Sequence, residues 1–218
     1  MPRIALVHAV VVATAPIEEA FQELWPDAER VSILDDSLSV DRARDAELTP
    51  AMTERIAALG AYALSTGADA ILYTCSAFGP AIEAFARTAR VPVLKPNEAM
   101  FRAALARGRR IGMLATFGPS VASMEAEFAG MAATSAPDAR IETVLVAPAM
   151  AALRAGDGER HDAMLAEVAP RLDACDAVML AQFSTARARD RVATVIGAPV
   201  LTSPHAAVME LKSRLARL

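Results

Sequence analysis

The chain has 218 residues, of which 54% are hydrophobic and 22% charged, and its formal net charge is −4 at pH 7. This composition excludes intrinsic disorder, which requires low hydrophobicity and high net charge, and without a basic excess it argues against nucleic-acid binding. Two cysteines cannot build a disulfide framework, and the cysteines and histidines lack zinc-site spacing, so we expect a reducing, cytoplasmic setting and no metal.

Short apolar runs alternate along the chain with longer amphipathic stretches. The apolar runs, which predict strands, cover 3–12, 29–34, 70–74, 91–94, 110–116, 140–147, 176–181 and 198–201. The amphipathic stretches, which predict helices, cover 16–25, 50–66, 78–89, 97–107, 119–133, 158–172, 185–195 and 204–217. This alternation is typical of an α/β fold in which helices cover both faces of a parallel sheet.

The first apolar run has two interpretations. One positive charge at Arg3 followed by an apolar stretch to Ala15 resembles a short signal peptide. A buried first strand is the favoured interpretation, because His8 interrupts the run and a similar segment recurs in mid-chain. No segment reaches the roughly 18 apolar residues that a membrane helix requires, so we expect no membrane partner.

The two halves of the chain repeat one sequence plan. Three segment pairs recur at a constant separation of 107 residues without gaps, namely 3–7 with 110–114, 69–72 with 176–179, and 92–94 with 199–201. The repeat predicts two pseudo-symmetric lobes, each a short parallel sheet covered by helices. We predict an N-terminal lobe over 1–104, on which helix 204–217 could also pack, a C-terminal lobe over 110–218, and an active site in the cleft between them.

The residues that follow the strands are the candidates for chemistry, because ligands of parallel sheets bind beyond the carboxyl ends of the strands. Cys75 stands between a predicted strand and a helix start, where backbone N–H groups and the helix dipole would stabilise a thiolate or hold a substrate carboxylate. Cys175 precedes its strand, so we expect it to be a buried core residue.

Other strand ends carry polar side chains near predicted helix starts. These candidates are His8, Ser76, Thr116, Ser120, Gln182, Ser184 and Thr185. Gln182 lies 107 residues after Cys75 and is therefore its counterpart. Glu98 and His205 form a second equivalent pair, and Asp35 could either line the cleft or cap a turn. His161 is expected to be exposed and remote from the strand ends.

These features together resemble the aspartate/glutamate racemase superfamily, which includes glutamate, aspartate and hydantoin racemases, maleate isomerase and arylmalonate decarboxylase. The segment 74–76, Thr-Cys-Ser, is similar to the first cysteine motif of that superfamily. The segment 114–116 with Ser120 and Ser123 is similar to the motif that opens the second half, and 92–94 with Pro96 is similar to the segment after the fourth strand.

The resemblance implies a cofactor-independent reaction on a small carboxylate-bearing, amino acid-like substrate. A thiolate would remove a proton beside the carboxylate, hydroxyl and backbone donors would stabilise the enolate-like charge, and a second thiol would return a proton. Cys75 is then the acid/base or nucleophile. Ser76, Thr116, Ser120, Ser184 and Thr185 are the expected donors, and the family often forms homo-oligomers.

The chain departs from this pattern at Gln182, where the second family cysteine is expected. A glutamine amide can exchange hydrogen bonds but cannot serve as a base, so Gln182 is expected to orient the substrate. Three alternatives follow. Another group, His8 by preference or else Glu98 or His205, supplies the second proton; or one thiol suffices, as in the superfamily's decarboxylase; or Cys75 attacks an unsaturated carbon, as in maleate isomerase.

A different class of function is a non-catalytic protein that binds a small carboxylate. Such a protein would have no use for a lowered pKa at Cys75, which distinguishes the two classes. An esterase-like hydrolase has no support, because no Gly-x-Ser-x-Gly motif is present.

Overall fold

The structure is a computed structural model that describes residues 1–45 and 47–217. Leu218, the last residue of the predicted second lobe, therefore lies outside the described residues. Contacts along the chain divide it into two compact units. The first unit comprises Met1–Glu98 and the chain from Ala207 onward, and the second comprises Ala99–Ala206.

Each unit contains a four-stranded parallel sheet with the same topology. The strands are β1 (Arg3–His8), β2 (Glu29–Leu34), β3 (Ala70–Tyr73), β4 (Val93–Leu94), β5 (Arg110–Ala115), β6 (Arg140–Leu145), β7 (Ala177–Leu180) and β8 (Val200–Thr202). The order is β2-β1-β3-β4 in the first unit and β6-β5-β7-β8 in the second. The two units thus repeat one architecture, and the predicted α/β class with helix-covered parallel sheets is confirmed.

Ten α-helices are described in these residues. They are α1 (Thr14–Leu24), α2 (Ser37–Arg42), α3 (Pro50–Ser65), α4 (Gly79–Ala86), α5 (Glu98–Leu105), α6 (Val121–Ser135), α7 (Ala147–Arg154), α8 (Gly158–Val168), α9 (Arg189–Ala193) and α10 (Ser203–Leu215). Short 3-10 segments cover Val11–Ala13, Ser76–Phe78, Gly118–Ser120, Ala169–Leu172 and Phe183–Ala188. None of the described helices is long and apolar enough to cross a bilayer.

The repeated sequence segments have a structural explanation at the start of the central strands. The Asp69 carboxylate accepts the backbone N–H of Arg3 at 2.7 Å, and the Asp176 carboxylate accepts the backbone N–H of Arg110 at 2.8 Å. In each unit the repeated aspartate therefore joins the beginning of the central strand to the beginning of its neighbour. This contact fixes the register of the sheet and with it the position of the opposite strand ends.

Buried side chains cover the sheets. In the first unit Val7, Ile71 and Tyr73 pack in one core cluster with Met52 and Ile56 of α3. The close packing of α3 on this face requires Gly60, where a Cβ would overlap the Phe85 ring and the Tyr73 hydroxyl. In the second unit one cluster forms around Met113 and Met179, and another around Leu114, Val178 and Leu180. Strands buried in this way explain the uninterrupted apolar runs of the sequence.

All eight predicted strands are present, with shifted ends. The run predicted over 3–12 stops being a strand at His8, so His8 lies at the carboxyl end of β1 as expected. The six-residue helix α2 and the eight-residue helix α7 were not predicted. The six residues of α2 are too few to produce a distinct helical periodicity in the sequence.

Candidate active site

The thiol of Cys75 lies just beyond the carboxyl end of β3 in the first unit. All four residues of β3 are buried, and after Thr74 the chain turns at Cys75 into the 3-10 segment Ser76–Phe78 and then into α4. Cys75 is the residue that caps this 3-10 segment, with extended backbone angles. It is half-buried and packs against the core cluster that contains Tyr73.

The protonation of Cys75 differs from the sequence expectation. Burial raises the pKa of the Cys75 thiol, whereas the backbone N–H of Ala77 and the positive charge of Arg42 lower it by a smaller amount. The expected lowering at a helix start does not prevail, because the effect of burial on the Cys75 pKa is larger than that of the Ala77 backbone N–H and the Arg42 charge together. At neutral pH the resting side chain is therefore a thiol.

A second ionisable side chain, His8, lies at the end of the neighbouring strand. Its Nδ1 is 2.9 Å from the Thr74 hydroxyl oxygen, and the imidazole is only 1% exposed. Burial lowers the pKa of His8 to about 4, so the ring is neutral at neutral pH. His8 and Cys75 line the same cavity of about 10 Å³, which is roughly the space of one water molecule.

Two arginines that the sequence did not indicate, Arg55 and Arg42, lie at the segment that follows β2. Arg55 of α3 forms ion pairs of 2.6 Å with both Asp35 and Asp41. Burial would raise the pKa of Asp35, but hydrogen bonds from Ser37 and Arg55 and the charge of Arg55 hold it below its ordinary value. Asp35 is therefore engaged in holding this loop. Arg42, at the end of α2, is the cation whose charge acts on Cys75.

The second unit places Gln182 in the position equivalent to Cys75 but uses it to join two loops. Its Oε1 accepts both the backbone N–H of Thr116 at 3.0 Å and the Thr116 hydroxyl at 3.2 Å. Its Nε2 donates to the Ser120 hydroxyl at 2.9 Å, and that hydroxyl donates to the Phe117 carbonyl. The structure thus brings together three predicted residues, Thr116, Ser120 and Gln182.

The remaining predicted hydroxyls differ in their surroundings. Thr185 is fully buried, and its hydroxyl accepts the Gln182 backbone N–H and donates to the Gln182 carbonyl, so it closes the turn. This places Thr185 in support of Gln182 rather than free to face a substrate. Ser184, in the 3-10 segment Phe183–Ala188, and Ser76 in the first unit are half-buried.

The other acid/base candidates are engaged with neighbours. Glu98 lies 3.5 Å from the guanidinium of Arg214, and the Nδ1 of His205 lies 2.6 Å from the Thr202 hydroxyl. His8 therefore remains the candidate whose ring shares a cavity with Cys75.

Two sequence expectations are corrected. His161 was expected to be exposed, but it is fully buried on α8, with Nδ1 2.7 Å from the Asp162 carboxylate, which Arg187 also contacts. Arg187, which pairs with the Asp162 carboxylate, follows Asp162 by 25 residues, so the sequence around His161 does not reveal this contact. Cys175 is only partly buried against the core beside β7, rather than fully enclosed. Within 1–45 and 47–217, no group of three or more histidine, cysteine or carboxylate side chains is arranged to hold a metal.

Comparison with known proteins now decides the family. The model of the family described as Asp/Glu/Hydantoin racemase matches residues 7–211. The chain belongs to this family. The resemblance inferred from the cysteine motif and the internal repeat is therefore confirmed. No curated protein sequence matches the chain.

Solved structures of two racemases and of a decarboxylase share the fold. Allantoin racemase from Klebsiella pneumoniae is 18% identical with a TM-score of 0.72, over 99% of this chain and 88% of that one. Aspartate racemase from Picrophilus torridus is 18% identical with a TM-score of 0.73, over 98% and 94%. The Gly74Cys mutant of arylmalonate decarboxylase is 18% identical with a TM-score of 0.68, over 99% and 93%. At this identity the likeness establishes the fold.

Sequence reasoning missed Thr74 as a partner of His8, although a signal was available. Parallel pairing of β1 with β3 aligns Val7 with Tyr73, so the next residue on each strand lies at the same edge. Arg42 carried no comparable signal, because nothing in the sequence fixes how the loop after β2 returns toward Cys75.

Proposed function

We propose that this chain is a cofactor-independent racemase or isomerase that moves a proton at a carbon beside the carboxylate of a small, amino acid-like substrate. The observation that carries the proposal is a pair of ionisable side chains at neighbouring strand ends, one of which rests with its acidic proton and the other without one. Cys75 is a protonated thiol, and His8 is a neutral imidazole. One can donate a proton and the other can accept one.

The proton balance of one turnover follows from these states. His8 Nε2 takes the proton from the substrate carbon, so a C–H bond breaks and an N–H bond forms. The Cys75 thiol then gives its proton to that carbon, so an S–H bond breaks and a new C–H bond forms, and the configuration inverts when the proton arrives on the face opposite the one that lost it. The product leaves an imidazolium and a thiolate, and transfer of one proton between them restores the starting state. A bound carboxylate assists because a nearby negative charge raises the pKa of His8.

Positive charge and hydrogen-bond donors would stabilise the enolate-like intermediate. Arg42 is the cation of the first unit that acts on Cys75, and Ser76 lies beside the thiol in the chain. In the second unit we assign substrate binding to Thr116, Ser120, Gln182 and Ser184. Thr185 holds the Gln182 backbone in place. Donors fixed in advance in this way stabilise charge that develops in the transition state.

A second candidate is a decarboxylase that needs one thiol. Gln182 favours it, because an amide at the position equivalent to Cys75 cannot exchange a proton with the substrate. In that reaction the bond between the substrate carbon and one carboxylate breaks and carbon dioxide leaves. The electron pair of that bond stays on the substrate as an enolate, which then takes the Cys75 proton. Solvent then returns a proton to the thiolate. A resting thiol with a raised pKa suits this role of proton donor.

The experiment tests both candidates in heavy water. The full chain is incubated with a panel of small α-amino and α-hydroxy carboxylates and, separately, with substituted malonates. Loss of the Cα–H signal in NMR and change of optical rotation report racemisation, and carbon dioxide release reports decarboxylation. The variants are Cys75→Ala and, as a matched control, Cys175→Ala.

We expect turnover in the wild type and in Cys175→Ala, and a fall of about 100-fold or more in Cys75→Ala, because general acid–base groups contribute on this scale. Full activity in Cys75→Ala would refute the mechanism. Thermal stabilisation by a carboxylate, without exchange or carbon dioxide release, would instead support the non-catalytic binding protein.

A further inference from the structure

A buried hydrogen-bond chain joins the ends of β1 and β3 beside the Cys75 site. The Nδ1 of His8 lies 2.9 Å from the Thr74 hydroxyl oxygen, and that oxygen lies 3.4 Å from the Val7 carbonyl oxygen. His8 and Thr74 are 1% and 5% exposed. Water is thus largely excluded from both side chains, and the protein itself determines how they share their protons.

The second unit shows that the fold does not need this polar pair. The residues 107 positions after His8 and Thr74 are Ala115 and Ala181, which are equally buried at the ends of the equivalent strands. Those strands pair in the same parallel order. Burying polar side chains costs free energy that their hydrogen bonds only partly return. A pair of methyl groups fills the same structural position, so the His8–Thr74 pair calls for an explanation other than packing.

Counting protons determines which nitrogen of His8 carries its hydrogen. The Thr74 hydroxyl has one proton to donate. If that proton goes to the Val7 carbonyl, then Nδ1–H of His8 donates to Thr74, and Nε2 keeps a lone pair. If it goes to Nδ1 instead, Nε2 must carry a hydrogen, and this buried atom has no hydrogen-bond partner among the described residues. An Nδ1–H that donates to the Thr74 oxygen is satisfied by the protein itself, whereas an Nε2–H would depend on a water in the small cavity that His8 shares with Cys75, so the first arrangement is favoured.

We propose that Thr74 is a positioning residue whose hydroxyl holds His8 in the Nδ1–H tautomer and so leaves Nε2 free to accept the substrate proton. The proposal rests on the proposed function, because the tautomer matters only if His8 exchanges a proton with the substrate. Thr74 itself touches neither the substrate nor the Cys75 sulfur in this scheme. It acts through the imidazole, as a partner on the second nitrogen commonly does for functional histidines.

The first test reads the tautomer directly and does not depend on turnover. Nitrogen NMR of isotope-labelled histidine is recorded at neutral pH on the ligand-free full chain, and the His8 signals are assigned by their loss in His8→Asn. We expect a protonated Nδ1 and an unprotonated Nε2 in the wild type and in Thr74→Ser. In Thr74→Val and Thr74→Ala, which lack the hydroxyl, we expect a shift toward the Nε2–H tautomer. Thr74→Ala copies the alanine of the second unit, so it is expected to fold.

The second test measures kinetics on whichever substrate the panel identifies. We expect kcat to fall about 10-fold or more in Thr74→Val, with KM little changed, and to recover in Thr74→Ser. An Nε2–H tautomer in the wild type, or a tautomer that does not change in Thr74→Val and Thr74→Ala, would overturn the inference. So would full turnover in both variants. Failure of the proposed function is distinguishable, since it would appear as an inactive wild type whose tautomer still responds to Thr74.

Discussion

The buried imidazole of His8 predicts a specific loss of stability on acidification. Burial lowers the pKa of His8 to about 4 in the folded chain, while an exposed histidine in the unfolded chain has an ordinary value of about 6.5. The folded state therefore favours the neutral ring. This contribution to stability is present above about pH 6.5 and is lost as the pH falls toward 4, because the unfolded chain binds a proton that the folded chain does not.

The size of the effect follows from the difference between the two pKa values. A difference of about 2.5 pKa units corresponds to about 3 kcal/mol once the pH is below both values. Between pH 7 and pH 5 the unfolded histidine becomes protonated and the folded one does not, which gives a loss of about 2 kcal/mol from this one residue. That amount is a substantial fraction of the stability of a typical domain.

Urea unfolding at pH 7 and pH 5 measures this loss through the fluorescence of Trp25. Trp25 is the single tryptophan of the chain and stacks on Phe21 in the same unit as His8, so its signal follows the relevant unit. Carboxylates also titrate in this range, so the informative quantity is the difference in pH dependence between the wild type and His8→Asn. We expect His8→Asn to lose about 2 kcal/mol less than the wild type, and the control His205→Asn to behave like the wild type. Equal losses in the wild type and His8→Asn would refute the argument.

Three further predictions concern the thiol, the core and the second unit. The alkylation rate of Cys75, followed by mass spectrometry, should have its pH midpoint above the ordinary thiol pKa, because burial raises the pKa of this thiol. Arg42→Ala should move the midpoint higher still, because it removes a positive charge that lowers the pKa. An ordinary midpoint in the wild type would contradict this reasoning. In thermal unfolding, Gly60→Ala should destabilise the fold by about 1–3 kcal/mol, because the new methyl group would overlap Phe85 and Tyr73. The control Gly130→Ala should stabilise it by about 0.5–1 kcal/mol, because Gly130 is exposed in α6 with open space around it. Gln182→Ala should weaken binding of the substrate carboxylate, seen as a raised KM, because two loops lose their common partner; an unchanged KM would exclude a binding role.

The fold was predictable because its determinants are local or repeated. Each buried strand is an apolar run, and the repeat of Asp69 at Asp176 marks the same sheet contact in both units. The position of Cys75 after β3 was predictable for the same reason, since the end of an apolar run and the start of a helix are both visible in the sequence. Short elements such as α2 were not, because six residues define no period.

The properties that depend on side chains from distant segments were not predictable. The pKa of Cys75 depends on how much core surrounds the thiol, which outweighs the local effect of the following turn. The burial of His161 depends on charges that become neighbours only after folding. Sequence alone placed the polar groups at the strand ends but could not assign their protonation.

The duplication provides a comparison within one chain that separates scaffold from chemistry. The central strand of each sheet begins with the same residue type in both units, as Arg3 and Arg110 show. Positions at the carboxyl ends differ, as the following pairs show: His8 and Ala115, Thr74 and Ala181, and Cys75 and Gln182. Since both units build the same sheet, these differences do not serve the fold. The first unit carries the groups that can exchange protons, whereas the equivalent positions of the second carry methyl groups and an amide. If the proposed function holds, the pH dependence of turnover should therefore follow substitutions in the first unit, while substitutions at Gln182 should change substrate affinity and leave the pH profile in place.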